Sequence, residues 1–144
     1  MTDAPRLNRQ VCFALYSASR AATAVYRPVL DELGLTYPQY LVMLVLWENE
    51  PRGVKELGEE LGLDSGTLSP LLKRLESLGL VERRRSGEDE RRVAIHLTAA
   101  GRELSGKAGA IPKRLAEAAG LTPEELDQLH NTLGRLTAAL HNSH

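Results

Sequence analysis

Apolar residues along this chain recur with the 3.6-residue period of a helix almost throughout, and the period changes to two only once. From about residue 7 to 33 an apolar-periodic segment predicts a long first helix, closed by Gly34 at its C-terminal end. Thr36-Tyr37-Pro38-Gln39 has the form of a capping box and predicts a second helix through Trp47. Asn49-Glu50-Pro51-Arg52-Gly53 is a turn cluster, followed by a short third helix over Val54 to Leu61. Gly62-Leu63-Asp64 is a three-residue turn into a fourth helix.

That fourth helix carries Leu68, Leu71, Leu72, Leu75 and Leu78 along one face and stops at Gly79. Pro70 admits two starts: Ser69-Pro70 as cap and first helical residue, or an earlier start near Ser65 with Pro70 distorting the first turns. Val81, and then Val93, Ile95 and Leu97, mark the change to period two, so residues 80–97 are predicted as a hairpin with Ser86-Gly87-Glu88-Asp89 at its tip. Thr98 caps a further predicted helix to about Ala118, bent at Pro112. Thr122-Pro123-Glu124-Glu125 starts a last helix, lined by Leu126, Leu129, Leu133, Leu136 and Leu140.

Two short helices joined by a three-residue turn and followed by a basic hairpin have the order of a winged helix-turn-helix. With its leucine face in the core, the fourth helix leaves Ser65, Thr67, Ser69, Lys73 and Arg74 to face a DNA major groove. Arg83, Arg84, Arg85, Arg91 and Arg92 crowd the hairpin, where guanidinium groups neutralise phosphates or enter a narrow minor groove. The acidic Glu88, Asp89 and Glu90 would oppose DNA if all faced it, and Asp89 is better used in pairing with an arginine. The competing reading is a solvated, salt-bridged hairpin on an all-helical protein. The expected fold is mainly α with a small β wing. It is one domain over 1–144, with a winged helix-turn-helix at about 37–97 and dimerisation helices at about 6–33 and 99–142.

Bulk properties narrow the setting. The chain has 144 residues with 18 Lys and Arg against 19 Asp and Glu, so a nucleic-acid surface has to come from where its cations cluster, not from net charge. The longest apolar run, Leu41 to Trp47, is too short to span a bilayer, and no secretory leader is visible. A cytoplasmic protein without membrane attachment is expected. Cys12 is the single cysteine, so neither an intramolecular disulfide nor a cysteine-rich zinc site is available. His96, His130, His141 and His144 make no metal set, and no phosphate loop or hydrolase triad occurs; no metal, cofactor or catalytic residue is expected.

The chain resembles the MarR family of dimeric winged-helix regulators. The resemblance is carried by Leu57-Gly58-Glu59-Glu60-Leu61, the run from Ser65 to Glu76, Gly79-Leu80-Val81, Asp89-Glu90-Arg91-Arg92 and Leu97-Thr98-Ala99-Ala100-Gly101. Within that family it is most similar to the organic-hydroperoxide-resistance branch, through Gln10-Val11-Cys12-Phe13-Ala14-Leu15-Tyr16-Ser17, Tyr26-Arg27-Pro28 and the run from Leu35 to Met43. The resemblance implies that Cys12 is a peroxide sensor, that Tyr26 and Tyr37 donate hydrogen bonds to its thiolate, and that Tyr16 is a wall of the same pocket. It also implies that Asp89 and Arg91 are the wing pair. A second, resolving cysteine found in some members is absent, so the chain resembles the one-cysteine subtype.

Cys12 and Tyr16 lie one turn apart on one helix face. Tyr26 lies fourteen residues from Cys12, roughly 20 Å along a continuous helix. Contact between them requires a bend, or the same helix from a second subunit running the other way. A two-fold dimer supplies that arrangement and suits a palindromic operator. Phe13 and Leu15 suggest an apolar approach that favours lipophilic hydroperoxides. The bland alternative for Cys12 is a small buried hydrophobe, and for the tyrosines interface packing, above all Tyr40. The expected function is a DNA-binding repressor released when an organic hydroperoxide oxidises Cys12, with a low-molecular-weight thiol as second reactant. Alternatives are a repressor released by a non-covalent phenolic ligand and a thiol peroxidase. The lack of an Arg or His activator near Cys12 argues against the last.

Overall fold

The computed structural model describes residues 6–85 and 92–143. A single 3-10 turn, Leu7–Arg9, precedes helix α1, Val11–Leu33. The extended backbone of Gln10 separates them, so the first helix begins later than its apolar pattern predicts. Gly34 closes α1 at φ 74°, a left-handed conformation that costs glycine little. Helix α2, Tyr37–Glu48, starts with the predicted capping box: Gln39 N–H donates to Thr36 Oγ1 and Thr36 N–H to Gln39 Oε1. Its Gln39, Tyr40, Val42, Met43, Val45 and Leu46 are buried, which makes it the central helix.

A two-residue strand β1, Arg52–Gly53, leads into α3, Val54–Leu61, and then α4, Ser65–Ser77. Asp64 decides between the two starts for α4. Its Oδ1 accepts the Thr67 amide at 2.7 Å, so the helix begins at Ser65 and Pro70 lies inside it. Leu68, Leu72 and Leu75 are buried and Leu71 half-buried, whereas Leu78 falls beyond the helix and is 48 % exposed.

Strands β2, Val81–Arg85, and β3, Val93–Leu97, form the predicted hairpin arms, with Val81 opposite Leu97 and Arg85 opposite Val93. The sheet is antiparallel in the order β1-β3-β2, because Arg52 and Gly53 pair with Ile95 and Ala94. The expected turn cluster therefore supplies a third strand. The predicted helix after Thr98 is two helices, α5, Ala99–Ala108, and α6, Ala110–Ala118, broken at Gly109 and not at Pro112. Pro112 sits in the first turn of α6, where a missing amide costs no intrahelical bond. Helix α7, Pro123–Asn142, has the expected Thr122–Glu125 capping box.

The core gathers Val42, Met43 and Leu46 of α2, Leu57 of α3, Leu68, Leu72 and Leu75 of α4 and Ile95 of β3. Helices α2, α3 and α4 and strand β3 thus share one packed body. By contrast, none of α7's residues is buried; Leu129 is 45 % and Leu140 55 % exposed. No helix among the described residues is long and apolar enough to cross a membrane.

Candidate functional site

Two groups of predicted residues occupy separate regions. In the first, the buried leucines of α4 turn the opposite side of the helix outward. Ser65, Thr67, Lys73 and Arg74 are exposed there, while Ser69 is half-buried at the edge of the face. Gly66 and Pro70 lie on the same outward side, so this face carries little side-chain bulk. Arg83 of β2 places Nε 3.5 Å from Glu76 Oε1 and so ties the wing to the end of α4. Arg84 is exposed but bonded to Glu82, with Nε and Nη2 at 3.0 and 2.9 Å from Oε2. Arg85 and Arg92 are exposed where the arms of the hairpin leave the body. Asp89 and Arg91 lie outside the described residues.

The base of the wing is anchored by Glu50. Its Oε1 accepts from the Leu97 amide at 3.1 Å and from Arg102 Nη2 at 3.0 Å, and its Oε2 accepts from Arg102 Nε at 3.0 Å. These charge-assisted bonds hold the Glu50 carboxyl below its ordinary range; the Arg102 bond is the larger cause and the Leu97 amide adds to it. Sequence reading placed Glu50 in a turn and missed this role.

The second group lies along α1. Cys12 is exposed, and so are Val11 and Phe13 beside it, at 63 % and 39 %. Tyr16, one turn on, is 59 % exposed with the Arg20 guanidinium 5.5 Å from its ring centre. At the other end of the helix Tyr26 is buried and stacks on Tyr37 of α2, ring centres 4.9 Å apart. Cys12 and Tyr16 are thus brought together, as are Tyr26 and Tyr37, but α1 runs unbroken between the two pairs. Tyr40 does not lie at an apolar interface: it is buried in the core between Tyr37 and Trp47, at 6.1 and 6.2 Å between ring centres.

Burial, and then the neighbouring Tyr26 phenol, pushes the Tyr37 phenol above its ordinary value. Burial, and then Tyr37, does the same for Tyr40. A phenol raised in this way keeps its proton at neutral pH and remains a donor. Thr23, which sequence reading passed over, lies within hydrogen-bond distance of this pair: its Oγ1 is 3.1 Å from the Tyr26 hydroxyl.

Comparison with known proteins places the chain in a family. The family described as "Transcriptional regulator SarA/Rot" matches residues 24–107. The organic hydroperoxide resistance transcriptional regulator of Bacillus subtilis is 50 % identical over 139 residues, covering 96 % of this chain and 95 % of that protein. This chain belongs to the MarR family of winged-helix transcriptional regulators. The regulator TtmR of Methylorubrum extorquens is 49 % identical over 96 % of this chain and 71 % of its own length. Among solved structures, overoxidized AbfR bound to DNA superposes with a TM-score of 0.76 at 36 % identity, over 94 % of this chain and 95 % of that one. Like its relatives, this MarR-family protein is a DNA-binding transcriptional regulator and not an enzyme.

Proposed function

We propose that this regulator is a homodimeric, cytoplasmic repressor that an organic hydroperoxide inactivates by oxidising Cys12. The observation that carries the reading is the separation along α1. An exposed thiol stands beside exposed apolar residues at one end, and a stacked pair of phenols stands at the other. Two copies of α1 running in opposite directions bring Cys12 of each against Tyr26 and Tyr37 of the other, with Tyr16 as a wall. Phenol donors stabilise a thiolate, the nucleophilic form of the residue. The names of the Bacillus relative and of overoxidized AbfR support this assignment.

The same dimer presents two copies of α4 to successive turns of a palindromic operator. Lys73, Arg74, Ser65, Thr67 and Ser69 read the major groove, and Arg84, Arg85, Arg92 and Arg91, the last oriented by its wing partner Asp89, grip the flanking backbone and minor groove. Exposed leucines of α7 complete the dimer interface.

A gel shift on the DNA upstream of the chain's own gene, with and without cumene hydroperoxide, tests the reading. Wild type is expected to bind and then release, and Cys12→Ser to bind and stay bound. Release of Cys12→Ser by the hydroperoxide overturns the sensor assignment. Release of both proteins by a phenolic compound alone would favour a non-covalent ligand.

A further inference from the structure

A hydroxyl has one proton to give, and this fixes the direction of two bonds in α1. Thr23 Oγ1 donates to the Ser19 carbonyl oxygen at 2.8 Å. With that proton committed, its contact of 3.1 Å with the Tyr26 hydroxyl runs the other way: Tyr26 donates and Thr23 accepts. The phenol proton that the function above assigns to a thiolate is therefore held inside the chain.

We infer that Thr23 is a positioning residue that competes with the Cys12 thiolate for the proton of Tyr26. The inference rests on the reading of Tyr26 as a donor to Cys12 of a second copy. While the thiol is neutral, Tyr26 points its proton at Thr23. When the thiol ionises, Tyr26 turns its proton to sulfur, the better acceptor because it is charged. Thr23 then turns its own proton from Ser19 to the phenol oxygen. The Tyr26-to-Thr23 and Thr23-to-Ser19 bonds are lost, and the Tyr26-to-sulfur and Thr23-to-Tyr26 bonds form.

Without the Thr23 hydroxyl, ionisation gains the phenol-to-sulfur bond and gives up none within the chain. Wild type thus forgoes the equivalent of one neutral hydrogen bond on forming the thiolate, and its sensor is held in check by that amount. Threonine in a helix often bonds the carbonyl four residues back, which alone would be a local matter. Here the same oxygen also meets a buried phenol, stacked on the second phenol of the site.

The test is the rate at which iodoacetamide alkylates Cys12 in the full-length dimer at neutral pH. Thr23→Val keeps the shape and removes the hydroxyl. It is expected to raise the rate roughly threefold to tenfold, the value of one net hydrogen bond. Thr23→Ser restores the hydroxyl and is expected to restore the wild-type rate, which a purely steric effect of valine would not predict. Tyr26→Phe is expected to slow alkylation. If Tyr26→Phe changes nothing, Tyr26 is not the thiolate's donor, and both that reading and this inference fall. If Tyr26→Phe slows the reaction while Thr23→Val leaves the rate unchanged or lowers it, the inference on Thr23 falls alone. A Raman measurement in Cys12→Ser gives an independent check. The tyrosine doublet that distinguishes donor from acceptor phenols is expected to change on Thr23→Val, and an unchanged doublet overturns the assigned bond direction.

Discussion

The indole Nε1–H of Trp47 donates to the carbonyl oxygen of Gly101 at 2.8 Å, joining the central helix α2 to the first turn of α5. A Cβ at Gly101 would overlap the Leu80 carbonyl oxygen, so any larger residue at this junction forces a shift. That oxygen is itself occupied by the Thr98 amide at 3.0 Å, so the backbone on both sides is fixed. Gly101→Ala is expected to destabilise the protein by about 1–3 kcal/mol, the usual range for forced overpacking. Trp47→Phe removes the bond and is expected to cost about 1 kcal/mol beyond the lost ring packing. Urea unfolding of both variants measures these losses.

The Glu50 clamp at the base of the wing makes stability depend on acid. A carboxyl whose value is lowered on folding stabilises the fold above the ordinary carboxylate range, and loses that contribution as pH falls through its folded value. Glu50→Gln is expected to flatten this part of the pH profile. Because Arg102 is 57 % exposed, solvent screens the pair and the change at neutral pH is at most about 1 kcal/mol. Chemical denaturation between neutral and acid pH, in wild type and Glu50→Gln, measures it. Equal pH slopes in the two proteins would remove Glu50 from this role.

Where structure depends on neighbours in sequence, it was legible. Thr36 with Gln39 and Thr122 with Glu125 cap their own helices within four residues, so the residue types alone locate the starts of α2 and α7. The alternation of Val93, Ile95 and Leu97 likewise marks β3. Strand β1 was not legible: two residues carry no period, and Arg52 becomes a strand only by pairing with Ile95 far along the chain. Pro112 misled because a proline in the first turn leaves a helix intact, while the break fell at Gly109. In the candidate site, Cys12, Tyr26 and Tyr37 were legible through their resemblance to a known branch. Thr23 was not, since one threonine in a helix has no pattern and gains meaning only from its contact with Tyr26.

The uncovered leucines of α7 predict the oligomeric state. Leu129 and Leu140 are largely exposed, and Leu133 and Leu136 are only half-covered. Leu133→Asp with Leu136→Asp places two charges on that stripe and is expected to shift sedimentation from dimer to monomer while weakening operator binding. A wild-type protein that sediments as a folded monomer at micromolar concentration would contradict the dimer.

Recognition helix and wing are expected to fail differently. Lys73→Ala or Arg74→Ala, on the outward face of α4, is expected to weaken binding and alter base preference. Arg85→Ala, or Arg91→Ala of the wing pair that the family resemblance implies, is expected to weaken binding to all sequences alike and lower the salt dependence. Competition gel shifts across operator variants at several salt concentrations separate the two. A change of base preference on Arg85→Ala would place that residue against a base edge.

The single thiol sets the course of oxidation. On the proposed function, the Cys12 thiolate is expected to attack the outer oxygen of a hydroperoxide, giving a sulfenic acid and releasing an alcohol after protonation. No second cysteine is present to resolve it, so a low-molecular-weight thiol is expected to condense with the sulfenic acid, forming a mixed disulfide and water. That adduct adds bulk, and the alternative overoxidation adds fixed charge, on an apolar face proposed to lie between two α1 helices. Either change is expected to shift those helices and alter the spacing of the two copies of α4. Hydroperoxide with a small thiol is therefore expected to release DNA and leave one adduct per chain at Cys12 by mass spectrometry. Dithiothreitol is expected to restore binding after the mixed disulfide and not after the sulfonic acid. Released protein with an unmodified Cys12 would end this mechanism.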